Sequence, residues 1–129
     1  RLAAMRQLSE NGIETGVVMM PILPFIEDSP ENVLNIIDAA AQHGTDYIIP
    51  AFGMTIRDGQ REYFYKKLDQ HFSGLRKQYE ETFGGSYHCS ARHAQQLSDV
   101  FYARCEEMGI ETRVTPYPPV SQIVQLPLF

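Results

Sequence analysis

Residues 12–24 of this chain, with the sequence GIETGVVMMPILP, decide its fold. They follow a segment in which Leu2, Met5 and Leu8 recur at helical spacing, and Gly12 is a typical stop for such a helix. β-Branched and apolar residues then lead to a bend that contains two prolines. This order predicts a helix that feeds a buried strand with a bent carboxyl end. Because ligands of α/β proteins bind at the carboxyl ends of strands, we expect a site at this bend.

The sequence Ser-Pro-Glu at residues 29–31 predicts the start of the next helix. The serine can accept hydrogen bonds from unpaired N–H groups, and proline suits the first helical position. The helix is expected to end at Gly44, and residues 46–52 predict a second strand that ends near Pro50. Two strands joined by one helix are most often parallel neighbours. The sequence GIETRVTP at residues 109–116 repeats the opening of the first strand and predicts a further helix–strand unit.

The middle of the chain carries an apolar stripe at helical spacing, which is typical of core packing. Its members are Phe64, Leu68, Phe72, Leu75, Tyr79 and Phe83. A break is predicted at Ser73-Gly74, which would divide the stripe between two helices. Ser90 is expected to cap a last helix over residues 91–108.

We expect one compact domain. Residues 1–56 would form βα half-barrel units, and residues 57–129 would form the helical segment, the last helix–strand unit and an apolar tail. The tail, residues 120–129, is predicted to pack on the domain or on a missing part of the protein. The chain starts inside a helical pattern without an initiator methionine, so we expect it to belong to a longer protein.

The composition is that of an ordinary globular domain, with 43% hydrophobic and 21% charged residues among 129. No run approaches the roughly 18 consecutive apolar residues that a membrane span needs, and no signal-peptide pattern is present. These features favour a cytoplasmic protein without a membrane partner. The net charge of −5 gives no support to long-range attraction of nucleic acid. A local basic patch is the alternative, formed by Arg57, Arg61, Lys66, Lys67, Arg76 and Lys77.

The two cysteines are too few for a metal cluster or a disulfide framework made from this chain alone. Cys105 lies on an apolar helix face and is predicted to be a core residue, whereas Cys89 is predicted to be a loop thiol. His93 and Cys105 cannot share a zinc ion, because a continuous helix would separate them by about 18 Å.

No catalytic motif in the sequence is complete. A phosphate-binding glycine loop, a nucleophile elbow and a His-Glu-x-x-His motif are all absent from the sequence. Glu27 and Asp28 could form an acid pair, but their position before a helix is better explained by capping. Surface or structural roles are expected for all four histidines, His43, His71, His88 and His93. The residues alone predict an α/β domain without a complete active site.

The order of these motifs resembles the C-terminal half of radical S-adenosylmethionine (radical SAM) proteins of the spore photoproduct lyase-like group, often labelled DNA repair photolyases. The matching features, in chain order, are the strand start Gly12-Ile13, the bend at residues 21–24 with Asp28, Gly44, Ile56-Arg57 before the aromatic helix, the helix end at residues 106–110, and the terminal QLPLF at residues 125–129. The resemblance covers nearly the whole chain.

The resemblance implies an α/β fold with a partial parallel (β/α) barrel. This would be the second half of a radical SAM-type (β/α)6 barrel with an added helical C-terminal region. In that family the first half carries a Cys-x-x-x-Cys-x-x-Cys loop, which holds a [4Fe–4S] cluster that binds S-adenosylmethionine. No part of this chain matches the loop, so both cofactors are implied for the full-length protein and the cluster would lie upstream. The implied partners are the missing N-terminal half and an unknown substrate.

In such barrels the carboxyl ends of the last strands contact the adenine of the cofactor by backbone and apolar groups. The resemblance therefore assigns the adenine contacts to residues at the ends of the two strands, Met20, Pro21, Ile22, Pro50 and Phe52. Arg57 is the candidate for an anionic group on the substrate, because a guanidinium offers bidentate donors. No residue of this chain is assigned a catalytic or metal-binding role.

The leading hypothesis is that the chain completes the barrel and the adenine pocket of a radical SAM enzyme and is inactive alone. Two alternatives stay open, a non-catalytic binding or assembly module and a fragment of another class of barrel enzyme. A parallel sheet that is cut open exposes a strand edge and an apolar face. We therefore expect the fragment to self-associate or to cover the opening with its tail. The family label suggests nucleic acid as a substrate, which the acidic charge does not support.

Overall fold

The computed structural model describes residues 1–116, which form five helices and four strands. In chain order the elements are α1 (Leu2–Glu10), β1 (Gly16–Met19), α2 (Pro30–Ala41), β2 (Tyr47–Pro50), β3 (Gly53–Thr55), α3 (Asp58–His71), α4 (Leu75–Phe83), β4 (His88–Ser90) and α5 (Ala94–Met108). None of these helices has the length and apolar character needed to cross a membrane. The packing predicted for the apolar tail lies outside the described residues.

The first sheet is a parallel pair of β1 and β2, as predicted from the single helix that joins them. Met19 lies opposite Pro50 at the carboxyl ends of the two strands. An isolated parallel bridge between Tyr47 and Glu111 extends the sheet, and the Ile48 N–H donates to the Glu111 carbonyl at 2.8 Å. The α/β class is therefore confirmed. The described residues form small sheets and no closed barrel, and the partial barrel remains a proposal.

Helices α2 and α5 pack together on one face of this sheet and form the main core. Its fully buried members are Val33, Ile37, Ala40, Ile48, Leu97, Phe101 and Cys105. Val17 and Met19 of β1 pack on the same core. Side chains alternate between the two faces of a strand, and Val18 accordingly lies on the opposite face, where it is 57% exposed. Helices thus cover one face of β1 and leave Val18 in contact with solvent.

Two local signals predicted helix boundaries correctly. Pro30 is the first residue of α2, and the Asn32 N–H donates to the Ser29 side-chain oxygen at 3.2 Å. Gly74, with a φ of 84°, precedes α4 and separates it from α3. A left-handed backbone of this kind favours glycine, which is why the break coincides with it.

Helices α3 and α4 form a second core cluster with the bend that follows β1. Tyr65, Leu68 and Tyr79 are buried there, whereas Phe72 of the predicted stripe is 42% exposed. The Tyr79 hydroxyl donates to the Pro24 carbonyl at 2.6 Å. This bond fixes α4 to the bend.

Strand β1 spans Gly16–Met19, and the bend predicted from the two prolines follows it at residues 20–24. The last strand unit was predicted wrongly. Residues 109–116 contribute a single bridge at Glu111 instead of a strand. Repetition of a short sequence does not by itself supply the neighbouring strand that a ladder needs.

Strands β3 and β4 form an antiparallel pair that the sequence did not reveal. Gly53 lies opposite Ser90, and Thr55 lies opposite His88. Ser90 therefore belongs to β4 and does not cap the last helix, which begins at Ala94. Each strand has three residues, which is too short for an alternating pattern to stand out.

Candidate functional site

A groove of about 560 Å³ lies at the carboxyl ends of β1 and β2. This volume is within the usual range of small-molecule sites. The residues that line it come from the ends of the parallel strands and from the β3–β4 pair: Met20, Pro21, Ala51, Phe52, Gly53, Met54, Thr55, His88, Cys89 and Ser90. The sequence predicted a site at this end of the sheet.

Three backbone hydrogen bonds hold the parts of the groove together. The Ala51 N–H donates to the Met19 carbonyl at 3.2 Å and joins the ends of β2 and β1. The Ile22 N–H donates to the Gly53 carbonyl at 3.3 Å, which anchors the bend to β3. The N–H of Ala91, next to β4, donates to the Phe52 carbonyl at 3.1 Å. The groove is therefore built on main-chain contacts between neighbouring elements.

One wall of the groove is apolar. Met20 is 46% exposed, and its peptide bond to Pro21 is cis. Phe52 packs edge-on against the buried Phe101, with 5.8 Å between ring centroids and 73° between ring planes. Phe52 is thus held by the core while it lines the groove. A flat apolar group suits such a wall, because aromatic and thioether side chains make favourable contacts with ring faces and edges.

The other wall is polar and comes from β3 and β4. Thr55, His88 and Ser90 are exposed residues that line the groove. None of the three was predicted as a site residue. Thr55 and His88 are 33 positions apart in the sequence and meet because β3 pairs with β4. No motif of fixed spacing marks such a contact.

Some of the predicted adenine contacts line the groove and others do not. Met20, Pro21 and Phe52 line the groove. Ile22 is 2% exposed and belongs to the main core, and Pro50 is half-buried within β2; neither lines the groove.

Arg57, the predicted substrate contact, is exposed at the start of α3 and does not line the groove. It lies beside Tyr87, just beyond the polar wall. Hydrogen bonds with Thr55 and Arg57 lower the pKa of the Tyr87 hydroxyl below its ordinary value. Arg57 and Tyr87 therefore form a small polar group next to the groove.

Asp28 has a different role from the capping role predicted for it. Its side chain is 1% exposed and pairs with Arg92, whose Nη2 lies 3.0 Å from the Asp28 Oδ1. The backbone N–H of Arg92 also donates to the Asp28 Oδ2 at 2.7 Å. Burial would raise the pKa of Asp28, but the hydrogen bonds from Arg92 outweigh it and hold the pKa below its ordinary value. Asp28 thus ties the bend after β1 to the start of α5.

The residues present do not fit a [4Fe–4S] cluster. The chain has two cysteines, and their side chains, Cys89 at 1% and Cys105 at 0% exposure, are both buried. The prediction that Cys89 is a loop thiol is wrong, because it lies in β4 with its side chain directed inward. Burial raises the pKa of Cys89 and raises that of Cys105 to about 11, which disfavours the thiolate that binds iron. Among residues 1–116, no three His, Cys, Asp or Glu side chains are grouped to hold a metal ion.

The arginines of the predicted basic patch have close partners. Arg61 donates to the carbonyls of Gly84, Gly85 and Ser86 at 2.8 to 3.1 Å. Arg76 contacts three carboxylates, those of Glu62, Asp69 and Glu80. The charge of Arg76 is therefore balanced by carboxylates, whereas the Arg61 guanidinium is held by neutral carbonyl groups.

Comparison with protein-family models, with curated proteins and with solved structures finds no match to this chain.

Proposed function

We propose that the groove receives the adenine of S-adenosylmethionine and that this chain forms the second half of a radical SAM barrel. The observation that carries the proposal is the apolar wall at the carboxyl ends of two adjacent parallel strands. Met20, Pro21 and Phe52 lie on that wall, and the sequence resemblance assigns adenine contacts to the same residues. Their apolar character suits the face of a purine.

The exposed side of β1 also supports the proposal. Within residues 1–116, β1 pairs with β2 along one edge and has no partner along the other. Val18 is exposed on the face opposite the helices. A further parallel strand beside β1 would satisfy the open edge and place Val18 inside a curved sheet. The N-terminal half of a barrel would supply that strand.

The chemistry would belong to the part of the protein that holds the cluster. When bound, the [4Fe–4S] cluster and S-adenosylmethionine supply the radical that abstracts hydrogen from a substrate. The described residues contribute binding and shape. They exclude water from one side of the base and fix its orientation, and none of them is assigned a proton or hydrogen transfer.

Calorimetric titration with S-adenosylmethionine tests the adenine site. We expect the Met20→Ala variant to bind about tenfold more weakly, because the buried contact of a methionine side chain is lost. Met108→Ala is the matched control, since Met108 is similarly exposed at 39% and does not line the groove. Equal affinities of the two variants would contradict the site, as would the absence of binding to the unmodified protein.

The proposed barrel is tested on the encoding DNA and on the protein that includes the sequence upstream of Arg1. We expect an in-frame three-cysteine loop upstream of Arg1 in the encoding DNA. The protein made from it anaerobically should contain iron and sulfide and absorb visible light. A reading frame without the three cysteines would rule out a radical SAM enzyme and favour another class of barrel enzyme.

A non-catalytic assembly module is the second candidate. Val18 at 57% and Ile13 at 51% are exposed apolar side chains in and before β1. Exposed apolar groups beside an open strand edge are typical of association surfaces. This function needs no ligand in the groove, so the titration described above separates it from the first proposal.

A further inference from the structure

Helix α3 presents one face to solvent, opposite its buried side, which carries Tyr65 and Leu68. Residues three or four positions apart share a face of a helix, and a set of exposed residues of α3 follows this spacing. Tyr63 lies at its centre and is 67% exposed, more than any other large apolar side chain of residues 1–116. We call this surface the Tyr63 face, and its members are Gly59, Tyr63, Lys66, Lys67 and Gln70.

The Tyr63 face carries positive charge that no carboxylate balances within the described part of the chain. The Lys67 ammonium lies over the Tyr63 ring, 5.8 Å from its centroid, and donates to the Gln70 side chain at 3.0 Å. Neither Lys66 nor Lys67 belongs to an ion pair among residues 1–116. The face therefore combines an exposed aromatic ring with two positive charges, on a protein whose net charge is −5.

A second groove, of about 400 Å³, lies between α2 and α5. It shares no lining residue with the groove at the strand ends. We call it the helix groove, and its lining consists of Leu34, Asp38, Val100, Ala103, Arg104 and Glu107. Half of this lining is apolar and the other half is charged.

The charged part of the helix groove is negative overall. The Arg104 guanidinium lies between two carboxylates, 2.8 Å from the Asp38 Oδ1 and 2.7 Å from the Glu107 Oε2. The second oxygen of each carboxylate makes no hydrogen bond to another residue in the region from 1 to 116. The Glu107 side chain is also 67% exposed. The groove can therefore accept hydrogen bonds from a cationic group that approaches from outside.

The Tyr63 face and the helix groove match in spacing as well as in charge. Asp38 and Glu107 each lie about one helical turn beyond an apolar residue of the groove lining. Lys66 and Lys67 likewise lie about one turn beyond Tyr63. An aromatic ring placed on the apolar part of the groove thus brings the two lysines to the carboxylates.

We propose that the Tyr63 face of one copy of this chain docks in the helix groove of a second copy. The Tyr63 ring lies on the apolar part of the groove, and Lys66 and Lys67 pair with Asp38 and Glu107. Tyrosine in a pocket is typical of the residues that dominate binding energy at interfaces, and opposite charges select the partner and its orientation.

This contact is heterologous, because each copy uses a different surface. Every copy keeps one unused face and one unused groove, so association continues beyond a dimer unless the copies close into a ring. The contact involves neither the groove at the strand ends nor the open edge of β1. It therefore goes beyond the proposed function and does not depend on it.

Sedimentation velocity at increasing concentration tests the contact in a Val18→Lys background, which weakens association through the edge of β1. The face variant is Tyr63→Ala with Lys67→Ala, and the groove variant is Ala103→Arg, which fills the groove and repels the lysines. We expect each variant alone to associate at least about tenfold more weakly than the background protein. An equimolar mixture of the two should form a dimer and no larger species, because one intact face meets one intact groove.

Tyr102→Ala with Lys77→Ala is the matched control, since Tyr102 is 49% exposed and the Lys77 side chain 81% exposed, and both lie outside the two surfaces. It should associate like the background protein. A background protein that stays monomeric, a mixture that forms no dimer, or an equal loss of association in the control would each overturn the proposal. Circular dichroism and the unfolding midpoint check that every variant is folded. None of these outcomes depends on binding of S-adenosylmethionine, so the adenine site stands or falls separately.

Discussion

Asp28 and Arg92 form the ion pair that joins the bend after β1 to the start of α5. The carboxylate is 1% exposed and the guanidinium side chain 51% exposed, so the pair lies at the boundary of the core. Arg92 also lies over the Phe25 ring, 5.3 Å from its centroid. Because the bend carries Met20 and Pro21, this contact holds one wall of the groove in place.

We predict that Asp28→Asn lowers the free energy of unfolding by about 2 kcal/mol at pH 7, because charge-assisted hydrogen bonds to Arg92 are weakened. Chemical denaturation, monitored by circular dichroism, measures this change in the free energy of unfolding. Asp58→Asn is the control, since the Asp58 side chain is 98% exposed and should leave stability nearly unchanged. An equal effect of the two substitutions would contradict a structural role for Asp28.

The same pair predicts a pH dependence. The pKa of Asp28 is lowered in the folded protein from an ordinary value near 3.8, so its carboxylate stabilises the fold above that pH. The contribution is lost as pH falls through the lowered folded pKa. We expect the stability difference between the unmodified protein and Asp28→Asn to be constant from about pH 5 to 7 and to shrink below about pH 4. A stability difference that grows on acidification would contradict the lowered pKa of Asp28 in the folded protein.

At the scale of elements, the β3–β4 pair determines the shape of the groove. Gly53 has a φ of 147°, which side chains rarely tolerate, and a Cβ atom there would lie 2.6 Å from the Cys89 carbonyl oxygen of β4. We predict that Gly53→Ala costs about 1 to 3 kcal/mol and separates the two strands. Gly59→Ala, within α3 and with open space around it, should instead be neutral or stabilising.

Amide hydrogen exchange checks this prediction. The Ala91 N–H, which donates to Phe52, should exchange faster in Gly53→Ala than in the unmodified protein. Unchanged protection of that amide would mean that the strand pair adapts to the added methyl group.

The elements also show where sequence reasoning succeeds. The start of α2 at Ser29 and the break at Gly74 were predicted because each depends on neighbouring residues. The role of Asp28 was missed because its partner, Arg92, is 64 positions away. A site at the carboxyl ends of the strands was predicted from the order of the elements, whereas the polar wall depends on a pairing of two short strands that no local pattern indicates. Contacts that the fold creates at long range carry no signature in a single sequence.

At the scale of the whole molecule, the sheet formed by residues 1–116 is covered on one face and has no partner strand along the outer edge of β1. Val17 packs on the core, whereas Val18 is 57% exposed. We predict that the chain self-associates as its concentration rises and that Val18→Lys weakens this association without loss of folding. Sedimentation velocity at increasing protein concentration measures this self-association. A monodisperse monomer at all concentrations would contradict this account of the open edge.

The most direct test of the adenine site is methyl NMR of the protein labelled at its methionines. Of the five methionines, Met20 and Met54 line the groove and Met20 is 46% exposed, whereas Met5 and Met108 lie outside it. On titration with S-adenosylmethionine, ring currents from the bound base should shift the Met20 methyl signal with saturation and leave Met5 and Met108 unchanged. An unshifted Met20 signal, or equal shifts at all three methyl groups, would contradict a bound adenine at the carboxyl ends of β1 and β2.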